Sequence, residues 1–270
     1  MPQATFSPFE LQIDLKSAAR LGDPEALDWA LEGLRAWPAF AANAPLDEAD
    51  VRAVLVPLGE ILALPTVPVD YLHGLASSSW AGVRALAAVA LAARALQGER
   101  IPAAWLRKLA ADRRAEVRLA LESYLKQKAA EDPAAVLALL TAWKQAPSPL
   151  SPRAAALALS VAAEMPPDAA PSALRWVADF RTDPHPDVQR ALGEALRRLA
   201  AHGLAQDVLT LLETWLQEPP TPAEAYPWAL RGSWAHPHRE RALALLAQVE
   251  AQFGTSRPLR RARQSLTAEA

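Results

Sequence analysis

Apolar residues recur along this chain at helical spacing. Val136, Leu139, Leu140 and Trp143 fall at i, i+3, i+4 and i+7, one stripe of a helix facing a neighbour. Val188, Ala191, Leu192, Ala195, Leu196 and Leu199 continue the same pattern, with Arg190, Glu194, Arg197 and Arg198 off the stripe. At the N-terminal end the spacing predicts a helix from Pro8 to Leu21, a turn at Gly22-Asp23-Pro24 and a second helix from Glu25 to Trp37. Pro38 to Pro45 reads as a linker.

The helical pattern is itself repeated. A small or polar turn, a hydrophobic residue, a basic one and an Ala/Leu helix recur as Ala49-Asp50-Val51-Arg52, Ala81-Gly82-Val83-Arg84, Ala115-Glu116-Val117-Arg118, Leu150-Ser151-Pro152-Arg153 and Pro186-Asp187-Val188-Gln189-Arg190. From Arg52 through Arg84, Arg118 and Arg153 to Gln189 the intervals are 32, 34, 35 and 36 residues. A sixth copy begins at His236-Pro237, 51 residues after His185-Pro186, the extra length being the Pro-rich insertion Glu218 to Pro227. Between these phrases runs a second helix that opens near a proline, where a missing N–H costs nothing, and that carries a tryptophan: Trp105, Trp143, Trp176 or Trp215. Such tryptophans belong to the core. A helix pair cannot bury its stripe alone, so the expectation is an all-α chain, an α-solenoid of about six antiparallel pairs. Residues 1–46 would form a capping helix pair, 47–250 the repeats of the same single solenoid, and 251–270 a basic C-terminal tail.

Composition narrows the chemistry. The 270 residues include no cysteine, which removes disulfides, thiolate metal sites and cysteine nucleophiles. With 10 glycines and no Gly-rich phosphate loop, a backbone cradle for a nucleotide cofactor is not expected. No metal and no cofactor are expected either; the five histidines lie mainly in turns. The formal charge of −2 conceals an asymmetry: residues 1–50 carry three basic against nine acidic side chains, whereas residues 100–128 carry eight basic against three acidic. The start of the chain lacks the basic and apolar runs of a secretory leader, and no stretch is apolar enough for a membrane span, so a cytoplasmic location is expected.

The phrase Asp183-Pro184-His185-Pro186-Asp187-Val188-Gln189-Arg190-Ala191-Leu192 resembles the inner-helix signature of HEAT repeats. The resemblance implies a HEAT/armadillo-like right-handed superhelix, in which an arginine of each unit commonly pairs with an aspartate of a neighbouring turn. The last third, from Val188 through Trp215 to Trp228-Ala229-Leu230-Arg231, is similar to the HEAT-like DNA alkylation repair glycosylases, which hold duplex DNA in a basic concave groove. That family uses an acidic residue one turn after a tryptophan, an arginine on a following inner helix and a further aromatic. Here the position one turn after Trp80 is Arg84, Arg118 stands where the arginine would, and Glu194 occupies the place of the last aromatic. Glu194 is the candidate catalytic residue if the acidic role has moved.

These readings define an expected function: a non-catalytic HEAT-like binding module whose basic concave face docks a macromolecule, duplex DNA or protein. The alternative is a glycosylase-type enzyme hydrolysing the N-glycosidic bond of an alkylated base in duplex DNA. Candidate binding residues are the repeat arginines Arg84, Arg118, Arg153 and Arg190, the neighbouring Arg107, Arg113 and Arg114, and the aromatic–arginine cluster Trp228, Arg231 and Trp234 beside the insertion.

Overall fold

Prolines and short polar side chains start the helices. The computed structural model describes residues 7–267, and every regular element among them is helical. The six N-terminal residues read for a leader, and the last three of the expected tail, lie outside the described residues. Helix α1 (Pro8–Leu21) is capped by Ser7, whose hydroxyl accepts from the Glu10 N–H at 3.4 Å. It ends at Gly22 in left-handed backbone, φ 67°, where a Cβ would lie 2.3 Å from the Thr66 carbonyl oxygen, so only glycine fits. Helix α2 (Pro24–Glu32) is capped by Asp23 and tightens into a 3₁₀ turn, Gly33–Ala36. The expected linker contains a single helical turn, α3 (Pro38–Ala41), because Phe40 is buried there against Trp37 and Trp80.

Then follow α4 (Glu48–Asp50), a π-helical stretch Val51–Leu55, α5 (Val56–Leu62), α6 (Val69–Leu75), α7 (Ala81–Leu96) and α8 (Ala103–Ala110). Two long helices, α9 (Ala115–Glu131) and α10 (Pro133–Gln145), precede α11 (Pro152–Ala162), α12 (Ala170–Ala178), α13 (Pro186–Leu199) and α14 (Ala205–Gln217). The chain closes with α15 (Tyr226–Ala229), α16 (Arg239–Phe253) and α17 (Arg257–Thr267). Proline occupies the first helical position of α1, α2, α10, α11 and α13; of the tryptophan-bearing second helices, α10 starts on proline, α8 and α12 have one beside the start, and α14 has none.

Two units divide the chain, Met1–Gln127 with Ala142–Pro149 and Lys128–Thr141 with Leu150–Ala270. In the first, α1 packs on α2 and α5, α5 on α7, and α7 on α6 and α8. The run from Ala85 to Ala93 is buried on every side, and such a helix has no solvent face to make polar. In the second, α11 packs on α12 and α13, α13 on α14 and α15, α14 on α16, and α17 on α15 and α16. Residues 257–267, expected within a basic tail, are helical because Leu259, Ala262 and Leu266 share one face and are buried. Trp143, Trp176 and Trp215 are buried as core residues; Trp105 is half-buried and stacks on His73 with ring centroids 3.8 Å apart.

The recurring phrase has a recurring geometry. Ser78, Asp112 and Asp183 each accept, through the side chain, from the N–H two residues on: Trp80, Arg114 and His185, at 3.2, 2.8 and 2.9 Å. The carbonyl of the same three residues accepts from the side chain six residues on: Arg84 at 2.9 Å, Arg118, and Gln189 at 3.1 Å. The turn is thus closed twice, once before the helix starts and once from its second turn. Arg84 also reaches Asp112 with two nearly parallel bonds, Nε to Oδ2 at 2.8 Å and Nη2 to Oδ1 at 3.0 Å, so one repeat turn is tied to the next.

Candidate functional site

The structure separates the predicted arginines by what they already hold. Arg84 is buried and serves Ser78, Ser79 and Asp112. Hydrogen bonding to Asp112 raises its pKa, burial opposing; burial pushes the Asp112 carboxyl up, but hydrogen bonds from Arg84 and the Arg114 N–H, with the charges of Arg84 and Arg113, hold it below its ordinary value. Arg107 is buried and donates to the carbonyls of Ser148 and Pro149. Arg114 binds the buried Glu116 and the Asn43 carbonyl at 2.9 Å, and Arg118 closes its own turn. These four residues, expected to face a ligand, are engaged by the fold itself: Arg84 and Arg107 are buried, Arg114 and Arg118 half-buried, and a guanidinium drawn out of water must find acceptors. Arg113 and Arg153 are exposed.

The remaining candidates converge in the second unit. On α13 the turn-closing position is Gln189, and Arg190 stands one residue further, about 100° around the helix. That displacement frees it. Arg190 and Arg231 both lie over the Trp228 ring, with guanidinium carbons 4.7 and 4.1 Å from its centroid, and among the described residues neither has a carboxylate within ion-pair distance. Burial and the charges of Arg261, Arg190 and Arg197 lower the Arg231 pKa, with Glu194 opposing. An arginine stays protonated at neutral pH nonetheless, so the site is a concentration of positive charge short of counter-charge.

Trp228 is held rigidly. Its helix, α15, starts at the fully buried Tyr226, whose hydroxyl donates to the Leu212 carbonyl at 2.8 Å. The insertion before it is pinned to α13 by the Glu224 N–H bonding Gln189 Oε1 at 3.2 Å. Trp234 donates through its indole N–H to the Ala229 carbonyl at 3.2 Å, so this predicted ligand residue closes the far end of α15 instead. Gly193 lets the two helices touch: a Cβ there would lie 2.3 Å from the Ala225 carbonyl oxygen and 2.7 Å from Trp228 Cβ.

Beside this cluster lies a groove of about 320 Å³ between α11 and α13. Small residues, Ala156 on α11 with Ala163 just past its end and Ala191 and Ala195 on α13, line it, and Arg190, Glu194 and Arg198 stand along its rim at i, i+4 and i+8. Glu194 is paired with Arg197 at 2.8 Å and Arg198 with Glu164. Sequence reading missed Arg198 and Arg261 as neighbours of the site and the groove altogether; the spacing of Ala156, Ser160 and Ala163, one small-residue stripe, was its only trace.

Among the described residues no three His, Asp or Glu side chains gather to hold a metal ion, and no helix is long and apolar enough to cross a membrane. No family model, curated protein or solved structure matches the chain.

Proposed function

We propose that the chain is a HEAT-like repeat module that docks nucleic acid without transforming it, through the α11–α13–α15 face of its second unit. One observation carries the reading: Arg190 and Arg231, without carboxylate partners, are held side by side on one tryptophan. Two guanidiniums oriented by a ring present their N–H edges to a phosphate, and the phosphate supplies the missing counter-charge. Base excision is the weaker reading. Glu194 is engaged by Arg197, and Arg84 and Arg118 are engaged by the repeat turns, so the residues on which it would rest are already occupied.

The direct test is a salt series of anisotropy titrations with labelled oligonucleotides. Binding should weaken steeply with salt, and Arg190→Ala with Arg231→Ala should reduce the slope of log K against log salt by about 1, for the one phosphate that is no longer neutralised. Absence of binding at low salt, or an unchanged slope in the double variant, would overturn the reading. Release of an alkylated base from duplex DNA would instead favour the enzyme.

The same proposal includes the finer architecture, about six antiparallel helix pairs wound into a right-handed solenoid with a basic concave face. Packing of α5 on α7, α11 on α13, α13 on α15 and α14 on α16, each on its second neighbour, supports it, as does the repeated turn geometry. Small-angle scattering should then give a radius of gyration well above the ~18 Å of a globular chain this long; a value at that figure would sink the solenoid.

A further inference from the structure

We infer that the α11–α13 groove takes one unstacked nucleotide of a single-stranded nucleic acid, its phosphate on Arg190 and Arg231 and its base along the alanine walls. The inference rests on the docking reading and adds the form of the ligand. Arg190 belongs to both features, lining the groove and lying over Trp228, so a phosphoryl group on the clamp has the groove beside it. Its 320 Å³ lies at the small end of ligand sites, which suits a nucleoside and nothing much larger.

The walls and rim point to a base rather than to an acidic or phosphorylated peptide. Ala156 and Ala191, the partly exposed alanines of the two walls, offer apolar surface for a ring. Glu194 and Asp187 stand on the same helix row as Arg190 and would repel the carboxylates of an acidic segment. A nucleobase is uncharged, and its exocyclic amine is a donor that the exposed Asp187 carboxylate at the rim can accept, as Asp accepts from the cytosine amino group. In a duplex that amine is paired and the ring is stacked, so only a strand with a free base fills the groove.

The test uses the full chain and compares a short labelled oligodeoxycytidylate with a duplex of equal length, with inorganic polyphosphate as a competitor. The single strand should bind about tenfold more tightly than the duplex, the order expected when one base's apolar surface leaves water. Ala191→Leu and Ala156→Leu fill the groove from opposite walls; each should erase that preference while leaving salt-dependent displacement by polyphosphate intact. Two variants on different helices guard against one failing to fold, which thermal melts report. Equal binding of the two forms by the wild type, or a preference that survives in both folded variants, would overturn the inference and leave the docking reading standing. Failure to bind either form or polyphosphate at low salt would overturn both.

Discussion

Replacing Arg84 by methionine should cost about 3–5 kcal/mol of local stability, because it leaves a carboxylate shielded from water without its partner. The side chains of Arg84 and Asp112 are only 10% and 12% exposed, so solvent screens the pair weakly. Methionine keeps much of the volume and removes every donor, leaving the Ser78 carbonyl and the Asp112 carboxylate short of donors at once. Adding Asp112→Leu should recover part of the loss, since replacing both ions with apolar groups removes the desolvation cost; recovery is incomplete because Asp112 also binds the Arg114 N–H. The effect is best read as amide exchange in peptides of α7 and of the turn at Asp112, because two units need not unfold together. Protection within ~0.5 kcal/mol of wild type would show that the pair is idle. Acid provides a second readout. The folded Asp112 carboxyl titrates below its unfolded value, so its contribution is complete above an unfolded pKa of ~3.9 and disappears as pH falls through the folded one. Asp112→Asn should flatten that acid limb.

The all-helical class and several helix starts were legible because they depend on spacing, whereas which arginine the fold engages depends on a rotation of one residue. The 3.6-residue periodicity and the prolines at helix starts located α1, α10, α11 and α13. Asp183 marked one repeat turn in the sequence; Asp112 and Ser78 fill the same geometric role outside the recurring phrases, and Ser78 carries no charge signal. Arg84 and Arg190 look alike in the repeat phrase, yet one is buried against an aspartate and the other is exposed over an indole. The difference is that Gln189, not Arg190, occupies the turn-closing register, as the repeat intervals already align it; what the hydrogen-bond pattern adds is that this register closes the turn, which leaves Arg190 about 100° away from it. The groove was harder still, since a lack of side-chain volume at Ala156, Ala163, Ala191 and Ala195 resembles ordinary close helix packing.

Gly193→Ala should separate these two levels, because it leaves every charged group in place and moves only the helix that positions them. In an isolated helix the change would stabilise by up to ~1 kcal/mol through propensity. Here the new methyl would meet the Ala225 carbonyl oxygen at 2.3 Å and Trp228 Cβ at 2.7 Å, and neither is the free end of a flexible side chain. Accommodation requires α15 to shift, yet it is tied by Tyr226 to α14 and packs on α17. Overpacking of this kind costs about 1–3 kcal/mol, more than propensity returns, so the variant should melt below wild type. Displacing Trp228 also separates the surface on which Arg190 and Arg231 rest, and oligonucleotide affinity should fall by about tenfold or more, as expected for loss of one charge-assisted bond. Trp228→Ala keeps both atoms that the new methyl meets, the Ala225 carbonyl oxygen and the Cβ at 228, so it should not rescue the melting defect, and it should lower affinity by itself because the ring that orients the clamp is gone. A Gly193→Ala chain that melts higher than wild type and binds as well would show that α15 does not seat on α13 at this point, and the clamp would lose its physical basis.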